Sequence, residues 1–196
     1  MTALQPRPSE PRRKAFAHIG ARGTRAGFTL IELMVVVIIM GVLAALATFG
    51  VRRYLLEGKK AEAVGMLTQI RAAEEAYRDE TFEYAGLDKF DVWNPTSDPG
   101  GQKYGWEFEA SNAQRLQVFN PLGVLPNGPV EYAYAVVAGP AGTNPPDLPI
   151  DLGDSLEAST GPFYIAMAKA DLDNDGTYTY AICQSTTAAI HLTDNY

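Results

Sequence analysis

The chain has 196 residues, 46% of them hydrophobic, which is enough for one folded domain with an appended segment. Its net charge of -7 hides an asymmetry, because the first 27 residues hold six basic side chains and one acidic one, while residues 28–196 hold 10 basic and 22 acidic ones. Since phosphate recognition depends on clustered Lys and Arg, so acidic a body argues against a nucleic-acid partner.

Cysteine and histidine are scarce. Cys183 is the only cysteine in the sequence, so no internal disulfide can form, and His191 is the only histidine after residue 27. A lone imidazole removes most zinc sites and most acid–base catalytic sets from consideration. We therefore expect a buried thiol and a surface imidazole.

The chain opens with a basic leader followed by a long apolar run. Residues 1–26 are rich in Pro, Arg, Gly and Ala and show no apolar periodicity, and their basic charge favours the cytoplasmic side of a membrane. From Phe28 to Val51 only Glu32 is charged. At about 1.5 Å per residue this run makes a helix of about 36 Å, which is long enough to span a bilayer.

The helical pattern continues beyond the apolar run. Between residues 54 and 80 apolar side chains recur every three or four positions, and polar ones fill most of the others. This spacing predicts an amphipathic helix over 53–80 that continues the apolar helix and packs one face on a folded domain. The expected inner face comprises Ala63, Met66, Ile70, Ala73 and Tyr77, with Glu62, Gln69, Arg71, Glu74, Glu75 and Arg78 on the polar side.

The remaining sequence favours strands. Alternating patterns predict five of them: "YGWEFE" at 104–109, "RLQVF" at 115–119, "VEYAYAVV" at 130–137, "FYIAMAKA" at 163–170 and "TYTYAIC" at 177–183. Short links between most of them favour an antiparallel arrangement. The predicted fold class is therefore α+β, with a mostly antiparallel sheet at about 103–185 that covers the amphipathic half of the long helix.

The N-terminal segment by itself leaves several interpretations open. The basic arm, the apolar run and "ALA" at 45–47 would suit a secretory signal peptide with a small-residue cleavage site. A plain single-pass anchor would explain the length of the run, and Arg12–Arg13 is a weak twin-arginine signal. Neither a signal peptide nor an anchor explains Glu32, whose burial in an apolar environment costs about 2–3 kcal/mol.

The stretch "RAGFTLIELMVVVIIMGVLAALA" closely resembles the class III leader and N-terminal helix of type IV pilins and of the pseudopilins of type II secretion. The resemblance implies that a prepilin peptidase cuts between Gly27 and Phe28 and that the new N-terminal Phe28 is methylated. It also implies that Glu32 serves filament assembly by pairing with the N-terminal amine of a neighbouring subunit. That pairing would neutralise two charges that are each costly in an apolar core.

The same resemblance implies the organisation and location of the chain. A leader at 1–27 would be removed, a helix at 28–52 would serve as transmembrane segment and later as filament core, and 53–196 would form a periplasmic domain with a pilin fold. We expect a single-pass inner-membrane protein before assembly and a periplasmic or extracellular filament afterwards. The implied partners are copies of the chain, other pilins, the prepilin peptidase and an inner-membrane assembly platform.

The resemblance implies that the chain is a structural subunit and not an enzyme. It would polymerise through its N-terminal helix into a surface or periplasmic filament for adhesion, motility or a related role. A type II secretion pseudopilin is the alternative, as is a minor pilin that acts as a filament-borne binding module; the acidic body disfavours DNA as its ligand. The chain departs from the common pilin pattern in lacking a C-terminal disulfide and a helix-kinking proline near the end of the apolar run.

A second pattern suggests a metal ion. "DLDNDGTY" at 171–178 places Asp171, Asp173 and Asp175 on alternate positions ahead of Gly176, like the first half of a calcium loop. The complete loop would need a glutamate at its twelfth position, where Ile182 stands. Some pseudopilins and pilin-like proteins use calcium to hold a C-terminal loop, which supports one bound calcium ion. A polar hairpin turn without a metal is the alternative.

Overall fold

A computed structural model describes residues 27–107, 111–148 and 160–193. Apart from Gly27, the leader expected at 1–27 lies outside the described residues. The chain divides into two compact units, Met1–Leu46 and Ala47–Tyr196. One long helix, α1 (Leu30–Thr81), contributes to both units.

In the first unit, α1 packs on none of the residues that the structure describes. Every described side chain from 27 to 46 is exposed, including large apolar ones such as Leu30, Ile38 and Leu46. The helix is long and apolar enough to cross a membrane, judged by length and composition. A helix that is apolar on all sides is typical of a membrane span or of a helix packed among others.

In the second unit, α1 is amphipathic as predicted. Ala63, Met66 and Ile70 are at most 4% exposed, and Ala73 and Tyr77 are partly buried against the same core. Leu67 joins this face, as the 3.6-residue period requires. Glu74 was placed on the polar side and that placement is wrong, because its side chain is completely buried.

The sheet is a four-stranded antiparallel meander, which confirms the predicted α+β class. Strands β1 (Ala133–Gly139), β2 (Phe163–Ala170), β3 (Thr179–Gln184) and β4 (Thr187–Leu192) lie in that order across the sheet. The predictions for 130–137, 163–170 and 177–183 thus correspond to β1, β2 and β3. β4 was missed, because Thr187–Leu192 lacks a strong alternation of large apolar and polar residues.

Both faces of the sheet are buried along β1, β2 and β3, whereas most of β4 is exposed. Alternate residues such as Tyr134, Ala166 and Cys183 join the core under α1, whereas Ile165 and Met167 join a second core on the opposite face. Because neighbouring residues of a strand point to opposite faces, β1 and β2 have nearly continuous buried runs. The second core includes Trp93 and is lined by Phe90, Leu148 and Tyr180.

Two predicted strands are absent from the sheet. Arg115–Phe119 forms a π-helical turn that continues into the single turn α2 (Asn120–Leu122). The Asn112 side chain accepts a hydrogen bond from the Arg115 N–H at 3.3 Å, and the neighbours Val118 and Phe119 are both fully buried. In a strand these two neighbours would point to opposite faces, so the helical conformation is the one that buries both on one side.

The strand expected at 104–109 is reduced to one antiparallel bridge between Tyr104 and Val130. Trp106 and Glu107 form a turn, and 108–110 lie outside the described residues. The Trp106 side chain is buried against Phe119, with ring centroids 4.9 Å apart, so its burial serves the core instead of a strand pair. The sheet therefore begins at Ala133, not near 103, and ends at Leu192.

Candidate functional site

The first candidate site lies in the first unit, where the chain enters α1. Gly27, Phe28 and Thr29 are not helical, and the helix begins at Leu30. The Phe28 side chain is 82% exposed, and a Cβ added at Gly27 would meet no atom within 4 Å. The Gly27–Phe28 peptide bond therefore lies in open, non-helical backbone immediately before the helix.

Glu32 and Thr29 form a capping box at the start of α1. The Thr29 N–H donates to Glu32 Oε2 at 2.9 Å, and the Glu32 N–H donates to Thr29 Oγ1 at 3.3 Å. The Thr29 hydroxyl also donates to Glu32 Oε2 at 2.6 Å. Two backbone donors that α1 leaves unpaired are thereby satisfied by side chains.

The role of Thr29 was not predicted, although the sequence carries a signal for it. "TLIE" at 29–32 has the T-x-x-E spacing of a capping box ahead of an apolar run. The resemblance predicted an assembly role for Glu32 and gave no indication that Glu32 caps its own helix. The structure shows that Glu32 already has a local hydrogen-bonding role before any neighbour is present.

The second candidate site is the acidic turn, residues 171–176, between β2 and β3. Asp171 Oδ1 accepts the Asp175 N–H at 3.1 Å and Asp171 Oδ2 accepts the Gly176 N–H at 2.9 Å. Carboxylate oxygens of Asp171, Asp173 and Asp175 all lie within 4.8 Å of one another. The two sharp bends need φ values of 61° at Asn174 and 88° at Gly176, where asparagine and glycine are the favoured residues.

The acidic turn is fixed to its surroundings by backbone and lysine contacts. The Gly101 N–H donates to the Asp171 carbonyl at 2.8 Å, and the Asp171 N–H donates to the Pro99 carbonyl at 3.1 Å. From α1, Lys59 Nζ donates to the Leu172 carbonyl at 3.2 Å and forms a salt bridge with Glu131 at 3.1 Å. These contacts hold the acidic turn against α1 and against the loop at 99–101.

The three carboxylates have the chemistry that a hard cation such as calcium prefers, and the turn gathers them without a large movement. Asp171 is buried, Asp173 is half-buried and Asp175 is exposed, so water could supply further oxygen ligands from the open side. Ile182, at the twelfth position, is completely buried in β3. The calcium site stays a prediction, and so does the metal-free hairpin turn.

The lone cysteine and the remaining histidine lie where the sequence predicted them. Cys183 is fully buried, and its Sγ lies 3.7 Å from the Leu67 carbonyl oxygen, to which the thiol donates. Burial raises the pKa of the Cys183 thiol to about 11, so it stays protonated near neutral pH. His191 is exposed on β4. Neither side chain belongs to the two candidate sites.

Comparison with known proteins supports the resemblance drawn from the N-terminal residues. The family model described as "Prokaryotic N-terminal methylation motif" matches residues 22–48, a range that contains Gly27, Phe28 and Glu32. The chain is 40% identical over 82 residues to "Type II secretion system core protein G" of Pseudomonas aeruginosa, covering 40% of this chain and 57% of that relative. The chain thus spans a little over half of the relative's length. No solved structure matches it significantly.

Proposed function

We propose that this chain is a pilin-like filament subunit of the pseudopilin type, made as a membrane-anchored precursor and assembled through its N-terminal helix. The observation that carries the proposal is the methylation motif at 22–48 on a helix whose first half is apolar on every side. The similarity to a type II secretion core protein favours a role in protein secretion over adhesion or motility. The proposed role is structural, with no catalytic activity.

Processing would act at the open backbone before α1. A prepilin peptidase would cut between Gly27 and Phe28, and methylation would follow at the Phe28 amine. The exposed, non-helical Gly27–Phe28 segment supports this step because a peptidase needs extended, accessible backbone. The precursor would lie in the inner membrane with the second unit in the periplasm, as the basic leader favours.

Glu32 would then have two successive roles. In the single subunit it completes the capping box with Thr29. In the filament its carboxylate would pair with the Phe28 amine of a neighbouring copy, so that two charges in an apolar core neutralise one another. The pairing would fix the axial position of each subunit, after which the apolar helices pack together.

Mass spectrometry of the mature chain tests the processing step. A methylated Phe28 at the N-terminus is expected in cells that hold the peptidase. A chain that starts at Thr48, after "ALA" at 45–47, would instead establish cleavage of a secretory signal peptide.

A pair of variants tests the assembly step. Glu32→Gln keeps a side chain that can complete the capping box but removes the negative charge, so we expect normal processing and a loss of subunits from the filament fraction. Thr29→Ala breaks the capping box and keeps the charge, so it should still assemble. Normal incorporation of the Glu32→Gln chain would overturn charge pairing as the basis of assembly.

We further propose that the acidic turn binds one calcium ion through Asp171, Asp173 and Asp175. The mutual approach of the three carboxylates to within 4.8 Å supports this, as does the resemblance to pilin-like proteins that hold a C-terminal loop with calcium. In this chain, which has one cysteine, the ion would take the place of a disulfide as a clamp on the C-terminal part of the sheet.

A minor pilin that carries a binding surface remains the alternative function. Composition of purified filaments separates the two proposals, because a main subunit should form most of the fibre, whereas a minor subunit should be present in a few copies. The expected partners in both cases are other copies or related pilins and an inner-membrane assembly platform.

A further inference from the structure

The core under α1 contains a carboxyl group that neither candidate site uses. Glu74 lies on the buried face of α1, one turn after Ile70, and its side chain has no exposed surface. Glu74 Oε2 accepts the Ala85 N–H at 2.9 Å, whereas Oε1 has no hydrogen-bond partner among the described residues. A fully buried carboxylate with one hydrogen bond is poorly stabilised as an anion.

No cation compensates Glu74 from its own helix. Arg71, one turn earlier, donates from Nη1 to the Ala188 carbonyl at 2.6 Å and from Nη2 to the Thr187 carbonyl at 3.4 Å, both on β4. Arg78, one turn later, forms a salt bridge with Glu75 at 2.9 Å. Glu75 itself adds a second negative charge beside Glu74. The helix therefore favours the neutral form of Glu74.

Among the described residues, the other elements around Glu74 bring no cation to it, and the nearby Arg71 guanidinium interacts with Tyr164 and Cys183 instead. Tyr164 of β2 and Cys183 of β3 face the same part of the core, and burial raises the pKa of both groups, so that both stay neutral. The segment 82–86 contributes Glu83, which is exposed, and Tyr84, whose hydroxyl donates to Glu75 at 3.1 Å. Burial is accordingly the main cause that raises the pKa of Glu74 to about 8.

The hydrogen bond to Ala85 joins α1 to a segment that covers one edge of the sheet. After the helix ends at Thr81, Tyr84 packs on Tyr164 with ring centroids 4.9 Å apart. The Leu87 N–H then donates to the Val136 carbonyl at 3.1 Å. Leu87 thereby lies along the outer edge of β1. The contacts of residues 82–87 thus protect backbone groups that an edge strand would otherwise expose.

We propose that Glu74 is a proton-operated latch that holds the segment 82–87 on α1 and β1 while its carboxyl group is protonated, and loosens that segment when the proton is lost to water. The Ala85 N–H can bond either form and favours the carboxylate, but only the neutral carboxyl needs no counter-ion in the core. The carboxylate would have to recruit water or a cation into the core, which requires the segment to open. In alkaline conditions this device would release the two backbone hydrogen bonds that Leu87 makes with Val136 and Ala138 on the β1 edge, and it does not depend on the filament proposal.

The sign of the effect follows from the two pKa values. Glu74 has a folded pKa of about 8 and an ordinary value of 4.5, so the folded chain binds more protons between these values than the unfolded chain. The stabilising contribution of the protonated group is complete below about pH 4.5 and is lost as the pH rises towards 8. Within that window the unfolding equilibrium constant should rise by up to about tenfold per pH unit from this group.

Direct titration of the full-length chain in detergent micelles is the first test and requires no variant. We expect the Glu74 carboxyl carbon, followed by NMR, to titrate with a midpoint within about one unit of 8, together with falling protection of the Ala85 amide from hydrogen exchange. A midpoint near 4.5, or an Ala85 protection factor that is constant from pH 6 to 9, would overturn the latch.

Two variants complete the test. Glu74→Gln keeps an oxygen that can accept the Ala85 N–H but cannot ionise, so the pH-dependent loss of protection should disappear. Glu80→Gln is the matched control, since it removes an exposed carboxylate of α1 that takes no part in these contacts, and it should retain the loss. An unchanged pH profile in the Glu74→Gln chain, or its abolition by Glu80→Gln, would contradict the assignment to Glu74.

Discussion

The two units of this chain use the same helix in opposite ways. From Leu30 to Leu46, α1 exposes apolar side chains on every side. Glu32, the one charged residue of this part, is hydrogen-bonded to Thr29 at the start of the helix. In the second unit, from Leu56 onward, the helix has one apolar face that is buried against the sheet and one polar face. The second part finds its core within the chain, whereas the first part needs a bilayer or other helices to cover it.

This difference predicts where substitutions affect folding, and Ile70→Ala should have the largest effect. Ile70 is fully buried between α1 and the sheet, so the loss of its side chain should lower the free energy of unfolding of the second unit by about 2–5 kcal/mol. Ile38, on the same helix, is 62% exposed in the first unit. Ile38→Ala should leave the unfolding of the second unit unchanged.

Denaturant unfolding in detergent micelles, followed by tryptophan fluorescence, measures both variants, because Trp93 and Trp106 are buried in the second unit. Equal losses in the two chains would mean that the apolar half of α1 contributes to the stability of the folded unit, and the division into two regions would fail.

Sequence patterns were sufficient for this division and for most of the sheet. The apolar run and the period of Ala63, Met66 and Ile70 depend on local spacing, which the chain reveals directly. By contrast, 115–119 alternates like a strand but folds as a π-helical turn, because Asn112 and the burial of Val118 with Phe119 decide its conformation. These are tertiary contacts, and no short window of sequence contains them.

The candidate sites show the same limit. Asp171, Asp173 and Asp175 could be found from their spacing, and the structure does bring their carboxylates together. Lys59, which holds the Leu172 carbonyl, lies 113 positions away and gave no signal. The helical period itself places Glu74 on the same face as Ile70, but residue type argued for solvent, and only the Ala85 amide explains its burial.

Calcium removal should have the next largest effect, and it should be confined to the second unit. If the ion binds Asp171, Asp173 and Asp175, calcium at about 100 times its dissociation constant stabilises the folded state by about 2.7 kcal/mol. At roughly 2–4 °C per kcal/mol, a chelator should lower the melting temperature by about 5–10 °C.

Asp173→Asn is the variant for this measurement, since it removes a carboxylate from the cluster, and Asp88→Asn, outside the acidic turn, is the control for lost charge. The Asp173→Asn chain should respond weakly to the chelator, and the Asp88→Asn chain should respond like the parent. A parent chain whose melting temperature ignores both calcium and chelator would leave the polar hairpin turn as the correct interpretation.

Thr29→Ala should have the smallest effect, and it should appear at the opposite end of the molecule. Loss of the Thr29 hydroxyl leaves the Glu32 N–H without its side-chain acceptor, at a cost of about 1 kcal/mol in local helix stability. Hydrogen exchange of the Glu32 and Leu33 amides should accelerate about fivefold, and Thr29→Ser should restore the slow exchange. The melting temperature of the second unit should not change.

If Thr29→Ala instead destabilised the second unit, the start of α1 would be energetically coupled to the sheet. A change confined to the first turn would mean that Glu32, the proposed assembly residue, is positioned by the helix end alone. A filament neighbour would then meet the same carboxylate whatever the state of the folded domain.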